Sequence, residues 1–156
     1  MKISTKGKYG LRAMIDLAQY SEQKAVSISS IAQRQKISES YLEQLVAKLK
    51  KAGLVVSIRG AAGGYRLARP ASGISVGDVL RALEGDVRAV ICTAQTEEGC
   101  EGEELCVTKY VWQRINESIE KTVDEMMIDQ LVAESRKAQE KAKNHDVDYS
   151  RNSCSG

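Results

Sequence analysis

Apolar residues recur at helical spacing along most of the chain, and each stretch of this kind predicts a helix. Thr5 is a plausible N-cap for the first stretch, whose apolar face consists of Leu11, Met14, Leu17 and Ala18. A short second helix is predicted over residues 31–35, with candidate N-caps among residues 27–30 and a turn at residues 36–38. Because a third helix follows this turn, the pattern predicts a helix-turn-helix.

The third helical stretch, SESYLEQLVAKLKKAG, has an apolar stripe made of Leu42, Leu45, Val46 and Leu49. Ser40 and Glu43 have the spacing of a capping box, and Gly53 stands where a helix usually ends. Burial of the stripe would turn the polar side outward, namely Ser40, Glu43, Gln44, Ala47 and Lys48. Gln pairs with adenine, Glu accepts from cytosine and Lys reaches guanine or phosphate, so this face predicts a reader of the DNA major groove.

The next stretch, LVVSIRGAAGGYRLAR, predicts a β-hairpin with a glycine-rich tip and a second strand that begins at Tyr65. Gly60, Gly63 and Gly64 leave the tip without bulk, so it can approach a DNA backbone or a minor groove with Arg59 at its edge. A nucleotide-binding loop is disfavoured, because no Gly-Lys-Ser/Thr closes the tip and no helix follows it directly. Helix-turn-helix plus basic hairpin is a winged helix.

Two more helical patterns follow the hairpin. Ser75 is the predicted N-cap of VGDVLRALEG, with Asp78 in its first turn. The pattern after residue 106 predicts about five helical turns with a stripe made of Val107, Val111, Ile115, Ile119 and Val123, joined by Trp112 and Met126. One small winged helix offers too few partners to bury this stripe, so we predict a two-fold homodimer. Such a dimer would place two recognition helices ~34 Å apart, on a palindromic site.

The stretch MMIDQLVAESRKAQ predicts a second, shorter helix that folds back on the dimerisation helix. The predicted fold class is mainly α with a small β-hairpin wing. We expect a winged helix-turn-helix DNA-binding domain at residues 1–85, a cysteine-containing loop at 86–106 and dimerisation helices at 107–136. Residues 137–156 contain few large apolar side chains and are predicted to form a disordered tail.

Charge is divided along the chain, although the net charge is only +2. Residues 1–70 contain 13 Lys and Arg against 4 Asp and Glu, whereas residues 71–156 contain 10 against 17. A basic first half is expected of a surface that meets phosphates. Lys6, Lys8 and Arg12 lie near the positive end of the first helix, where they either receive a phosphate or form an ordinary charged turn.

Neither an export signal nor a run of the ~20 apolar residues that span a bilayer is evident, so we expect a cytoplasmic protein with no membrane partner. In that reducing compartment, cysteines do not argue for structural disulfides. Cys92, Cys100 and Cys106 share one Gly- and Glu-rich loop, which favours metal binding or redox sensing. Cys154 and His145 lie in the predicted tail and are not interpreted as ligands.

The cysteine trio leaves several interpretations open. A zinc site is disfavoured, because spacings of seven and five intervening residues are wider than in a zinc knuckle. A thiol/disulfide sensor and unligated cysteines remain alternatives to a metal centre. Catalytic residues are not predicted, because we find no nucleophile-and-base arrangement, cofactor fingerprint or paired carboxylates. An electron carrier is the remaining alternative class, but a basic wing would be superfluous in it.

Residues 1 to about 135 resemble the IscR-type winged-helix regulators, which include iron–sulfur cluster sensors and CymR-like regulators of cysteine metabolism. The resemblance lies in KGKYGLRAM, ISESYLEQLVAKLKKAGLV, SIRGAAGGYRLAR and ISVGDVLRALEG. It implies that Ser40, Glu43 and Gln44 face bases and that Arg59 reaches the minor groove. The candidate DNA contacts are completed by Tyr41, Lys48, Gly60, Gly63, Gly64 and Tyr65.

The resemblance further implies that Cys92, Cys100 and Cys106 hold a 2Fe-2S cluster. The family's usual histidine ligand, three positions after the third cysteine, is Lys109 here. A protonated Lys has no lone pair for iron, so the fourth ligand must come from elsewhere. Glu43 is the first candidate, and the loop glutamates come next: Glu97, Glu98, Glu101, Glu103 and Glu104.

The function that the resemblance implies is a repressor of cluster-biogenesis genes that responds to its own cluster, with a cluster-assembly scaffold as a candidate donor. The alternative is a regulator of cysteine or sulfur metabolism, or a nitric oxide or redox sensor, of the same fold.

Overall fold

The computed structural model describes residues 2–91, 102 and 104–152, with side chains as far as residue 144. These residues form six α-helices, a short 3₁₀ turn and one two-stranded antiparallel sheet. In order, the elements are α1 (Thr5–Tyr20), α2 (Ile28–Gln35), α3 (Glu39–Lys51), β1 (Val55–Ile58), β2 (Gly64–Leu67), the 3₁₀ turn Ala71–Gly73, α4 (Val76–Glu84), α5 (Thr108–Glu125) and α6 (Ile128–Asn152). This order confirms the predicted fold class, a mainly helical winged helix-turn-helix with a small hairpin wing.

The first helix begins at a different cap from the one predicted. Ser4, not Thr5, is the N-cap: its backbone is extended, and its hydroxyl accepts a hydrogen bond from the Lys6 N–H at 3.2 Å. Thr5 already has helical geometry and so cannot cap. The Glu84 carboxylate from α4 also accepts from the N–H groups of Ser4 and Gly7, at 2.9 and 3.0 Å.

Glu84 therefore occupies the place at the start of α1 where a phosphate was one possibility. Its carboxylate also accepts from the Ser4 hydroxyl at 2.6 Å. An incoming phosphate would have to displace this carboxylate before it could reach the first-turn N–H groups. Lys6 and Lys8 are exposed, whereas the Arg12 guanidinium donates to the side chain and backbone oxygens of Gln35. The geometry favours an ordinary charged turn.

Substituting Glu84→Gln is expected to lower the free energy of unfolding by about 1 kcal/mol, because the charged half of this cap is lost. The Ser4 hydroxyl, helped by the N–H groups of Gly7 and Ser4, holds the pKa of Glu84 below its ordinary value. Because the pKa of Glu84 is lower in the folded protein than in the unfolded chain, this carboxylate stabilises the fold at pH values above its ordinary pKa. The stabilisation is lost as the pH falls through the folded-state pKa. Urea unfolding should therefore separate the two proteins at about pH 7 and not at about pH 3.

The control for this prediction is Glu125→Gln, which alters an exposed carboxylate 3.9 Å from Lys121. It should leave the free energy of unfolding nearly unchanged. Equal effects of the two substitutions at neutral pH would contradict the capping role of Glu84.

Helix α2 and the turn after it have the expected form, with an earlier start. The Ser27 hydroxyl accepts from the Ser30 N–H at 3.1 Å, which starts α2 at Ile28 and not at residue 31. Lys36 adopts the left-handed conformation, with φ 54°, and ends the helix. This confirms the predicted turn between the two helices of the helix-turn-helix.

The predicted capping box of α3 is wrong. Ser38 is the N-cap, and its hydroxyl accepts from the Tyr41 N–H at 3.3 Å. Ser40 and Glu43 lie inside the helix, because the extended backbone that a cap requires occurs two residues earlier. At the other end, Gly53 follows the last turn with φ 75°, as the sequence predicts.

The hydrophobic core joins the helix-turn-helix to α4 and α6. Its fully buried side chains include Met14, Leu17, Ile31, Leu42, Leu45, Leu49, Ile74 and Ile128. One buried charge lies beside this core: Asp16 of α1 accepts from the Arg34 guanidinium through both carboxylate oxygens and from the Gln35 amide at 2.8 Å. This network fixes α2 against α1.

The wing is tied to the chain that precedes α2. Strand β1 pairs with β2 in the register Val55↔Leu67 to Ile58↔Gly64. Tyr65 exchanges two backbone hydrogen bonds with Val26, at 2.8 and 2.9 Å. A Cβ at Gly64 would lie 2.5 Å from the Val26 carbonyl oxygen, so this position has no room for a side chain.

The junction between α5 and α6 is attached to the chain between the wing and α4. The Val76 N–H donates to the Met126 carbonyl at 2.8 Å, and the Ile128 N–H donates to the Ile74 carbonyl at 2.9 Å. Ser75 is the N-cap of α4, as predicted, and the structure adds that Ser75 and Asp78 form a full capping box. Arg81 of α4 also forms an ion pair with Asp124 of α5.

Helix α6 differs from its prediction in length and in packing. It has 25 residues, whereas α5 has 18, and its buried residues Ile128 and Val132 pack into the core with α1. Gln139 and Ser135 hydrogen-bond to Gln19 of α1. The helix also continues through residues 137–152, where the sequence predicts a disordered tail. The sequence KAQEKAK is rich in strong helix formers, which extend a helix without needing apolar burial.

Candidate DNA interface and thiol site

Helix α3 presents the polar face that the sequence predicts. Its four buried residues are Leu42, Leu45, Val46 and Leu49, and they anchor the helix in the core. The other side is exposed, namely Ser40, Glu43, Gln44, Ala47 and Lys48. Three basic residues in the last turn, Lys48, Lys50 and Lys51, add positive charge at the carboxyl end of the helix. Donors, acceptors and cations therefore share one solvent-facing side of the helix.

Tyr41 differs from the other candidate contacts on α3, because it is half-buried. Its ring packs edge-to-face on Tyr9 of α1, with the ring centroids 6.1 Å apart. Arg12 lies over the other ring of this pair, 5.4 Å from the Tyr9 centroid. The tyrosine pair therefore fixes the start of α3 against α1, whatever else the Tyr41 hydroxyl does.

The tip of the wing is a tight turn between exposed residues. The Gly63 N–H donates to the Gly60 carbonyl at 2.9 Å, and Gly60 has φ 109°, a conformation that favours glycine. Arg59 is exposed beside the turn. Tyr65 is half-buried and packs against the core, so its structural role is to hold the wing in place.

The apolar stripe on α5 is divided between two surroundings. Ile119 and Val123 are half-buried, and Val123 packs on α4 residues of this chain. Toward the amino end of α5, the side chains of Val107, Val111 and Ile115 are exposed by 74%, 49% and 38%. Leu105 and Tyr110 add exposed apolar surface there, at 91% and 64%. The exposed part is an apolar face that the described residues of this chain leave uncovered.

Of the three candidate thiols, only Cys106 lies among the described residues; Cys92 and Cys100 lie outside them. Cys106 stands two residues before α5 begins, with its sulfur 3.2 Å from the Thr108 hydroxyl oxygen. The Thr108 hydroxyl, together with the backbone N–H of Lys109, holds the pKa of the Cys106 thiol below its ordinary value. A thiol that ionises readily has the chemistry of an iron ligand, so Cys106 fits a cluster-binding role.

The Lys109 ammonium lies 5.5 Å from the centroid of the Tyr110 ring. Glu43 is exposed on α3 and stays a candidate fourth ligand. Of the loop glutamates, Glu104 is described and exposed, and the other four lie outside the described residues. Within the described ranges, no three His, Cys, Asp or Glu side chains converge on a common point.

Two polar residues near these surfaces were not predicted. Asp16 is buried on α1, and Asn116 is the single buried residue of α5, which the structure describes throughout. The sequence signal for Asn116 is a polar residue beside an apolar stripe, which many exposed positions share. Across the described residues, no helix is both long and apolar enough to cross a membrane.

The known proteins that this chain resembles are transcriptional regulators. The sequence model of the Rrf2 family, described as iron-dependent transcriptional regulator, matches residues 3–134. The HTH-type transcriptional regulator IscR of Yersinia enterocolitica is 42% identical over 132 residues, which cover 85% of this chain and 79% of the relative. IscR of Erwinia tasmaniensis has the same identity and coverage.

Solved structures give the same relationship. The T. potens IscR structure has a TM-score of 0.71 and 45% identity, covering 89% of this chain and 91% of that one. CymR of B. subtilis, titled the global cysteine regulator, also has a TM-score of 0.71, with 41% identity over 85% of this chain and 97% of that one. The oxidized form of Staphylococcus aureus CymR follows at 0.65 and 42%, over 85% and 96%.

Proposed function

Because the chain belongs to the Rrf2 family of iron-dependent transcriptional regulators, we propose that it is a dimeric repressor that binds palindromic promoter DNA and responds to a 2Fe-2S cluster of its own. It controls genes of iron–sulfur cluster biogenesis and acts in the cytoplasm. The observation that carries the DNA-binding part is the exposed polar face of α3, held by a buried stripe and followed directly by a basic wing.

The DNA-reading residues act through shape and hydrogen bonding. Gln44, Glu43 and Ser40 offer donors and acceptors to base edges, while Lys48 reaches phosphate or guanine. Arg59 and the Gly60–Gly63 turn lie at the wing tip, where a backbone without bulk can approach the minor groove. The exposed apolar face on α5 supports the dimer, since a second copy would bury it and set two α3 helices on one duplex.

Cys92, Cys100 and Cys106 would hold the cluster, with Glu43 as the first candidate for the fourth ligand and a cluster-assembly scaffold as the candidate donor. When bound, the cluster supplies a redox-active and labile inorganic centre. The Thr108 hydroxyl and the Lys109 N–H favour the thiolate of Cys106 at the start of α5. A change at Cys106 therefore occurs beside the helix that carries the exposed apolar face.

A second candidate function follows from the likeness to CymR, whose B. subtilis structure has the same TM-score as IscR and which is also matched in its oxidized form. In this alternative, the chain regulates cysteine or sulfur metabolism through thiol oxidation and holds no cluster. Iron and sulfide content separates the two functions, because the alternative expects neither in oxygen-free material.

The proposed function is tested with oxygen-free protein and DNA duplexes selected from a random pool by repeated binding. The wild type should contain iron and sulfide and bind the selected duplexes with an affinity that falls steeply with salt. Cys106→Ala should lose the visible absorbance and change the affinity for these duplexes. A colourless wild type after reconstitution would remove the cluster from the proposal. Failure to bind any duplex at low salt would remove the DNA-binding part.

Substituting Glu43→Ala is expected to shift the visible spectrum of oxygen-free protein, because a carboxylate ligand to iron would be replaced by water or another group. Gln44→Ala, one residue along the same exposed side of α3, is the matched control and should leave the spectrum unchanged. Both substitutions should weaken specific DNA binding, by about 1–3 kcal/mol for a lost bidentate contact. An unaltered Glu43→Ala spectrum excludes Glu43 as a ligand.

A further inference from the structure

Asn116 is a buried polar side chain in a helix that is otherwise exposed or half-buried. It is 4% exposed, and it lies on α5. Its amide oxygen accepts from the N–H groups of Ala89 and Val90, at 2.9 and 3.3 Å. Its amide nitrogen donates to the Val90 carbonyl at 2.8 Å. All three hydrogen bonds go to the main chain of one short segment, which we call the clasped segment, residues 89–90.

The clasped segment lies outside every helix and strand. Its buried or half-buried main-chain groups therefore depend on Asn116 for the bonds that regular structure supplies elsewhere. An apolar side chain at this position would leave two donors and one acceptor without that partner, at about 1–3 kcal/mol for each group that water does not reach. The contact between α5 and residues 89–90 is therefore what requires an asparagine at position 116.

The chain runs along α5 toward the amino end of the helix as it approaches the cysteines. Val87 packs with Val123, and Ala89 and Val90 bond to Asn116, two turns earlier on the helix. Val90 stands two residues before Cys92 in the sequence, and Cys106 stands two residues before α5 begins at Thr108. Thr108 and Asn116 are eight residues apart, or about 12 Å along the helix axis.

We infer that Asn116 is a positioning residue for the thiolate centre, which fixes the chain entering the cysteine segment to the same helix that carries its exit. This inference rests on the proposed function, because it assigns a role within the cluster site. The two ends of the cysteine segment are thus attached to one helix, at points about 12 Å apart along its axis. A change in ligation that pulls on either end acts directly on α5, and through α5 on the exposed apolar face.

The test compares Asn116→Ala, Asn116→Asp and the control Gln113→Ala in the full-length protein. An aspartate retains the two accepted bonds, but it replaces the donor to Val90 with a carboxylate oxygen that faces the Val90 carbonyl oxygen. Gln113 is exposed on α5 and bonds to Glu117 at 2.7 Å, so its loss leaves the clasped segment intact. Three quantities are measured: hydrogen exchange at residues 89–90, the decay of visible absorbance in air, and the iodoacetamide alkylation rates of Cys92 and Cys106.

Asn116→Ala should raise hydrogen exchange at residues 89–90 by about tenfold or more. It should also shorten the lifetime of the cluster by about tenfold. Asn116→Asp should shorten it as well, whereas Gln113→Ala should behave like the wild type. Unchanged lifetime in a variant whose exchange shows a released clasp would overturn the inference, as would unchanged exchange. Should Asn116→Ala fail to fold, the same comparison is decided by Asn116→Asp.

A wild type without any cluster would refute that part of the proposed function and leave the inference to the alkylation rates. In the cluster-free protein, release of the clasp should change the rate at Cys92 relative to Cys106 by more than about threefold. An unchanged ratio would show that Asn116 does not position the cysteine segment. The two failures are therefore distinguishable.

Discussion

Substituting Asp16→Ala is expected to destabilise the protein by about 2–3 kcal/mol, because the charge-assisted hydrogen bonds of a buried carboxylate are lost. The Asp16 side chain is only 1% exposed and accepts from the Arg34 guanidinium at 2.7, 3.0 and 3.2 Å. Its loss leaves Arg34 and the Gln35 amide without their acceptor and opens the contact between α1 and α2. Urea unfolding followed by circular dichroism measures the effect directly.

The control is Glu22→Ala, which removes the partner of Arg136 from a pair whose side chains are 65% and 49% exposed. That change should cost less than about 1 kcal/mol, because exposed ion pairs contribute little. The double variant Asp16→Leu with Arg34→Met should recover part of the stability that Asp16→Ala loses. A loss of under about 1 kcal/mol for Asp16→Ala would contradict the role assigned to this network.

Substituting Val111→Glu is expected to abolish the proposed dimer and lower the affinity for a palindromic duplex by about 100-fold or more. Val111 is 49% exposed, and its neighbours one turn away on the same side are Val107 and Ile115. A carboxylate here would be buried against apolar side chains of the second copy, and the two copies would bring two such charges together. Without the dimer, each winged helix binds its half-site independently. Sedimentation and titration of the duplex measure the two losses.

Gln113→Glu is the matched control, since it adds the same charge on the opposite side of α5, at an exposed position. It should leave the dimer intact. The fold of Val111→Glu should also survive, because among the described residues that side chain is not part of either core cluster. A dimeric Val111→Glu protein would show that the two copies associate through another surface.

The sequence predicts those parts of the fold that periodicity determines. The buried stripe of α3, the wing and the Ser75 N-cap of α4 are all confirmed. The caps of α1 and α3 are wrong by one or two residues, because each start contains several Ser and Thr residues and only the backbone shows which of them is extended. The length of α6 was underestimated, since its last part depends on helix propensity and not on an apolar stripe.

For the candidate site, sequence patterns predict which side chains face solvent. They do not predict which polar side chains form hydrogen bonds to another element. The exposed side of α3 follows from the spacing of its buried leucines. Asp16 and Asn116 could not be identified in this way, because their partners lie 18 to 19 and 26 to 27 positions away in the sequence. Hydrogen bonds between elements depend on how the elements pack, and a pattern along one element carries no such information.

The paired backbone at residues 74–76 and 126–128 also determines how a movement would spread. The bonds from Val76 to Met126 and from Ile128 to Ile74 fasten the end of α5 at a point between the wing and α4. A small tilt of α5 would therefore move α3 and the wing together, and their displacement would grow with distance from the point about which α5 tilts. The expected response to a signal at the cysteines is a change in the separation of the two winged-helix domains on the duplex, while each domain keeps its internal structure.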